Sequence, residues 1–378
     1  MLVAIGSSGC YYTHLARGQL ALLWARRPIE EARTDPGLSG STRRLLDLVG
    51  PIRRFARELG LRVGDQYSDY VDWPGDRIVT TIVRTREGTL EAVPFRFPFI
   101  GRLPYKGYFD RERAIREAER LRSRDFDVCL SGVAAYSTLG WLDDPVTAPM
   151  LQRGPATLVE TILHELVHAT AFVPDAADFN ESVAQFIGQE AAVRFFRELE
   201  GTLEADRVVS PGVRSDWPSA QRVRDFVEDR RAVARLTVGL RERLIALEGE
   251  PDRDSWRERL EAETRSRMAE LPLRVLEAER VSRAARLSDA CLALRGTYVR
   301  DLPRHARVLD ALGGDLAAMV ERVSLWARES RPVEAFYTVD PPVDPAIDPA
   351  PVSSNEQPDR SATGQLDHAL LDEPSKDF

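Results

Sequence analysis

Glu160-Thr161-Ile162-Leu163-His164-Glu165-Leu166-Val167-His168-Ala169 decides how this chain is read. Residues four apart on a helix stack on one face, with Cβ atoms about 5–6 Å apart. His164 and His168 therefore aim two imidazoles at one point, and Glu165 reaches the same neighbourhood from a rotated direction. Only 5 of the 378 residues are histidine, so abundance does not account for the pair. Pro155 suits a helix start. Leu158, Val159, Ile162, Leu163, Leu166 and Val167 cover most of the circumference. Thr157, Glu160, Thr161, His164, Glu165 and His168 form the remaining polar stripe. A helix that is apolar nearly all round is buried. A polar stripe on it is costly unless it faces a metal, partners or a wet cleft.

The pentapeptide His164-Glu165-x-x-His168 matches the zinc motif of helical metallohydrolases. Two imidazoles can bind Zn²⁺ at about 2.0–2.1 Å, with Glu165 placed to touch a zinc-bound water rather than the ion. A catalytic zinc needs a third protein ligand. The other histidines, His14, His305 and His368, are remote, which argues against a downstream third His. Instead Phe179-Asn180-Glu181-Ser182-Val183-Ala184 follows a short loop containing Pro174, Asp175 and Asp178. Asn180 reads as an N-cap, placing Glu181 in the first turn of the next helix. Val183, Ala184, Phe186 and Ile187 give that helix an apolar side, and Ala184 and Gly188 permit close approach. Glu181 then lies opposite the His pair as third ligand. Asp175 and Asp178 are alternatives, or partners that fix a histidine tautomer.

These residues resemble the Glu-ligated zinc metallopeptidases, although twelve residues between His168 and Glu181 is shorter than in thermolysin-like and M1-like members. More closely, the chain resembles the bacterial putative (predicted) aminopeptidase family. The matching stretches are Gly9-Cys10-Tyr11-Tyr12 with Ala16-Arg17-Gly18-Gln19, Pro104–Phe109, Gly132–Trp141, the His-Glu-x-x-His helix, and Phe179–Ser182, spanning roughly residues 9–200. The resemblance implies a zinc peptidase and does not itself establish exopeptidase specificity.

Hydrophobic residues make up 43% of the chain, and the length suffices for one large core or two ordinary ones. A net charge of −8 disfavours a nucleic-acid backbone as partner. No run approaches the length of a membrane-spanning helix. Cys10, Cys129 and Cys291 form neither a pairing pattern nor a Cys-x-x-Cys site. Leu2–Cys10 resembles the end of a bacterial lipoprotein signal, which would lipidate Cys10 and anchor the protein at the periplasmic side of the envelope. It lacks a basic start and a full apolar stretch. An ordinary apolar N-terminus, and a cytoplasmic location, is the other reading.

Residues 11–27 and 41–60 read as helices, the latter interrupted at Gly50-Pro51. Ile78–Val83 and Thr89–Phe97 read as a hairpin around Glu87-Gly88. Pro104–Tyr108 reads as a loop, Asp110–Arg124 as a helix, and Phe126–Leu130 as a strand running towards Tyr136. Gly132–Ser137 is the expected edge strand for an extended substrate. Tyr136 ranks first as oxyanion donor, ahead of Tyr105, Tyr108 and Lys106. Beyond 200 the chain turns Arg/Glu-rich at helical spacing over 219–249, 253–271, 273–298 and 304–328. From 331 it becomes Pro/Asp-rich, the composition of a disordered tail.

The expectation is an α+β chain. Residues 1–10 are a lipoprotein-signal remnant, 11–200 a zincin-like catalytic domain with a small sheet, 201–330 a helical domain, and 331–378 a disordered tail. His164, His168 and Glu181 hold Zn²⁺, and Glu165 is the general base on a peptide substrate. Glu160, Asp143 and Asp144 are the carboxylates offered for a free amino terminus. A zinc hydrolase of other substrates and a non-enzymatic zinc-stabilised envelope scaffold are the alternatives.

Overall fold

The β-branched run at Ile78–Val83 becomes the centre of the main sheet in a computed structural model describing residues 3–97, 101–135, 143–209, 217–329 and 331–339. The chain begins with helix α1 (Val3–Trp24), strand β1 (Arg27–Pro28), and helices α2 (Ile29–Thr34), α3 (Gly40–Asp47) and α4 (Val49–Glu58). α1 starts earlier than residue 11, so the expected signal remnant from Val3 to Cys10 is part of a helix. Pro51 falls in the first turn of α4, where a missing N–H costs nothing. Strands β2 (Asp69–Val71), β3 (Val79–Arg86), β4 (Phe95–Phe97), β5 (Gly101–Leu103) and β6 (Tyr105–Tyr108) come next. Helix α5 (Arg111–Arg122), capped by Asp110, leads to β7 (Phe126–Val133) and β8 (Val146–Thr147).

The expected hairpin does not form. β3 lies between β6 and β7, antiparallel to both, and pairs with β7 over eight residues from Val79↔Val133 to Arg86↔Phe126. β4 pairs with β5 instead, and the backbone of the 89–97 segment is bridged to β3 at Thr85↔Ala92, with Val93 N–H donating to Arg84 O at 2.8 Å, rather than forming a ladder with it. Pro94 removes a ladder donor from that segment, whereas β7 has no proline. Tyr105–Tyr108, expected as a loop, is the other edge strand of the same sheet.

Helices α6 (Ala148–Leu151), α7 (Pro155–Thr170), α8 (Ala177–Val209), α9 (Ala220–Ile245), α10 (Arg253–Ala269), α11 (Ala278–Ala284), α12 (Asp289–Val299), α13 (Leu302–Ala311), α14 (Leu316–Glu329) and α15 (Val333–Phe336) complete the α+β fold. The single helix expected over 273–298 is two. Asp229 on α9 captures the backbone N–H groups of Arg274, Val275 and Leu276, which holds that stretch out of helix. One core is shared across residue 200: Leu158, Ile162, Val183 and Ile187 join Val223, Val308, Met319 and Phe336. Phe336 is completely buried, so the core continues past 331. The Pro/Asp-rich tail expected beyond that point lies, from residue 340, outside the described residues.

Two buried groups tie distant parts together. Cys129 on β7 and Cys291 on α12 form a disulfide across a sequence separation of 162. The sequence shows no pairing pattern among its three cysteines because partners that far apart leave no spacing signal. Replacing Cys129 and Cys291 by Ser is expected to cost about 2–4 kcal/mol, read from the denaturation midpoint. An unchanged midpoint would refute the pairing.

His305 is completely buried among Phe179, Phe186 and Phe336, with its Nε2 3.0 Å from the Ser182 hydroxyl. Burial, aided by the charge of Arg304, lowers its pKa to about 3. The folded chain therefore takes up no proton at His305 between pH 6.5 and about 3, while the unfolded chain does. Stability from this residue is complete above 6.5 and falls as the pH drops through that window. Thermal melts should lose stability with acid more steeply in the wild type than in His305→Phe; equal slopes would contradict this.

Candidate metal centre

α7 begins at Pro155 behind Gly154, whose φ of 84° suits only a residue without Cβ. Its apolar residues Leu158, Val159, Ile162, Leu163, Leu166 and Val167 are all buried, so the polar stripe is forced to face α8 and the space beside it. α8 returns antiparallel: Gly188 lies against Glu160 and His164, and Glu181 against His164 and His168. At Gly188 a Cβ would sit 2.9 Å from the Glu160 carbonyl oxygen, so only glycine allows this approach.

His164, His168 and Glu181 form a group able to hold a metal ion. The two Nε2 atoms are 3.1 Å apart, and Glu181 Oε2 lies 3.4 Å from the first and 3.5 Å from the second. Burial alone would raise the Glu181 carboxyl. Hydrogen bonds from His164 and His168, and their charges, outweigh it and hold the group far below the usual carboxylate range. Burial works against the His164 imidazolium, yet the Glu181 hydrogen bond and the charges of Glu165, Glu181 and Glu160 raise its pKa. Nδ1 of His168 is buried and has no hydrogen-bond partner among the described residues.

Glu181 is a ligand candidate for a reason other than the expected one. α8 starts at Ala177, so Glu181 lies past the first turn, and Asn180 does not cap it. The Asn180 side chain instead clamps the loop, accepting from Val173 N at 2.9 Å and donating to Val173 O at 2.8 Å. Asp178 is taken by Arg300 at 3.2 Å, and Asp175 is exposed, so neither joins the cluster. Glu165 is half-buried and forms no hydrogen bond or ion pair with another described residue. Glu160, one turn before His164, is buried. It pairs with Arg230 Nη1 at 2.5 Å and accepts from Gln185, so it is not free for a substrate amine. Asp144 is buried, its carbonyl accepting from Tyr67 N, while Asp143 is exposed.

Tyr136 lies outside the described residues. Lys106 and Tyr108 belong to another cluster: Lys106 Nζ is 3.4 Å from Glu117 and 4.4 Å from the centre of the Tyr11 ring. The phenol that does reach the centre is Tyr298 on α12. Its ring stacks on His164 with centroids 6.3 Å apart, and the Glu181 charge acts on its hydroxyl. Burial, then the charges of Glu181 and Glu165, push this phenol far up, so it keeps its proton. A second phenol, Tyr67, is buried with a left-handed φ of 60°. Burial pushes it up as well, with help from the Glu165 and Asp144 charges. Neither tyrosine carries a local sequence signal; each arrives from an element remote in the chain.

β7 is an edge strand, as expected for the Gly132 segment, though only Gly132–Ala135 of that segment is described. Its alternate outward carbonyls are capped. Val128 O accepts from Arg122 at 3.4 Å, Leu130 O from Arg286, and Gly132 O from Arg153 at 3.2 Å.

No helix among the described residues is long and apolar enough to cross a membrane. No curated protein and no solved structure matches the chain. The model of the family described as "Putative aminopeptidase" matches residues 10–335, taking in both histidines, Glu181 and Tyr298. The chain belongs to the putative aminopeptidase family.

Proposed function

We propose that the chain is a zinc-dependent metallopeptidase, and in keeping with its family an aminopeptidase, with His164, His168 and Glu181 as ligands. One observation carries this reading. Tetrahedral zinc with bonds near 2.0–2.1 Å needs ligand atoms roughly 3.3 Å apart. The three candidate atoms are separated by 3.1, 3.4 and 3.5 Å. The donor set of two imidazoles and one carboxylate also suits zinc and leaves a fourth position open.

When bound, zinc supplies Lewis acidity to a carbonyl oxygen and activates water near neutral pH. The protein's own groups do the rest. Glu165, without a hydrogen bond or ion pair among the described residues and next to His164, takes the proton from the attacking water and returns it to the leaving amine. Tyr298 keeps its phenolic proton and donates a hydrogen bond to the negative charge that develops on the carbonyl oxygen. Glu160, neutralised by Arg230, fixes the turn before His164. A location in the bacterial envelope, with Cys10 as lipid anchor, accords with the Cys129–Cys291 disulfide, since such bonds persist in oxidising compartments.

Glu165→Gln should keep zinc and lose roughly 10²–10⁴-fold in kcat on amino-acyl chromogenic substrates. Full turnover would remove the general-base role. Glu181→Ala should lose zinc at equilibrium; unchanged stoichiometry by metal analysis would move the ligand role elsewhere. Tyr298→Phe should keep zinc affinity and lose about 10²-fold in kcat with little change in KM. Lost zinc with residual activity proportional to metal content would reassign Tyr298 to holding Glu181.

A further inference from the structure

One helical turn from the metal ligands the charge changes sign. Glu160 precedes His164 by four residues on α7, and Arg295 precedes Tyr298 by three on α12. Arg300 at the end of α12 meets Asp178 at the start of α8, so α12 runs antiparallel to α8 as α7 does, and both backward steps lead the same way, about 5 Å along the cleft. There Arg230 pairs with Glu160, and Arg295 lies close enough to Arg230 and Arg286 for their charges to act on it. Arg153 in turn feels Arg230 and caps Gly132, while Arg286 caps Leu130, both on the free edge of β7.

With Arg77 against Gly132, five guanidiniums thus gather beside two carboxylates, Glu160 and Asp76, and Glu160 is consumed by Arg230. Asp76, whose charge acts on Arg153, is held by Arg77 through two hydrogen bonds. Arg295 is exposed and has no ion pair among the described residues. Burial of its surroundings, then the charges of Arg230 and Arg286, lower its pKa. Placing like charges together without a counter-ion is unfavourable, so such a cluster marks a place where an anion arrives.

We propose that Arg295, backed by Arg230 and flanked by Arg153 and Arg286, binds a carboxylate of the substrate about one residue from the scissile carbonyl. The position relative to the scissile bond rests on the peptidase reading; the carboxylate site itself does not. The carboxylate comes from an acidic side chain or from a free carboxyl terminus. An amide-capped Glu peptide and an uncapped neutral peptide separate the two sources.

The test uses the full chain loaded with zinc and three peptides: Ala-Glu-Ala-amide, Ala-Gln-Ala-amide and Ala-Gln-Ala with a free carboxylate. Affinities are measured by calorimetry on wild type, Arg295→Gln and Arg295→Lys, with the Glu165→Gln background suppressing turnover. One of the two anionic peptides should bind about tenfold or more tightly than the neutral one. That ratio should fall below about threefold in Arg295→Gln and recover in part in Arg295→Lys. Thermal melts check that both variants fold, and the lysine variant keeps the test decisive if the glutamine variant does not. Equal affinity for all three peptides, no binding of any, or an undiminished preference in the folded variants would overturn the proposal. Cleavage is followed separately by mass spectrometry with Glu165 intact. A preference for the anionic peptide without cleavage defeats the peptidase reading alone; cleavage without preference defeats the arginine subsite alone.

Discussion

Everything at the centre depends on how closely two helices approach. α7 carries the histidines and α8 carries Glu181, and the two meet where Gly188 lies on the Glu160 carbonyl. Two helical turns separate Gly188 from Glu181, so the glycine sets how far the carboxylate reaches across. A methyl group at 188 would have to displace backbone rather than a flexible side-chain end, and packed interiors yield little. The buried apolar sides of both helices lock the register, and the Asn180 clamp on Val173 fixes the turn between them. Three ligand atoms within 3.5 Å of one another are the product of that geometry.

The four carboxylates nearest this contact are kept in different states. Glu160 is neutralised by Arg230, Glu181 is shared between two imidazoles, and Asp144 is buried beneath Tyr67. Glu165 forms no hydrogen bond or ion pair with a described residue. That division of labour is what a site needs when one acid must bind, another must support and a third must move protons. The two phenols follow the same logic, half-buried Tyr298 beside Glu181 and buried Tyr67 within reach of the Glu165 charge, each held neutral by its surroundings. The sheet and the helical half then close around the centre and are joined covalently by Cys129 and Cys291.

What could be read from sequence was what depends on short spacing. The stacking of His164 and His168 follows from helical periodicity, and the burial of α7 follows from its apolar faces. Gly188 and Ala184 announced the close approach, and the β-branched run announced β3. Glu181 was singled out through a capping role for Asn180 that the fold does not use; what brings it to the histidine pair is antiparallel packing, not the helix start. Strand partners were misread because pairing is decided by what else is available. Pro94 handicapped the near segment, and β7, forty residues on, offered a full ladder. Tyr298, the disulfide and the arginine cluster were invisible because their members lie far apart in the chain and no local pattern distinguishes them. Residues near Tyr136, which the sequence favoured, fall outside the described structure.

The central claim is that one ion is held jointly by the two helices. Crystals of the zinc-loaded protein measured above and below the zinc absorption edge test it most directly. The account predicts a single strong anomalous peak about 2.0–2.1 Å from Nε2 of both His164 and His168 and from a Glu181 carboxylate oxygen. A peak bound elsewhere, or none at these three atoms in protein that carries stoichiometric zinc, would contradict it.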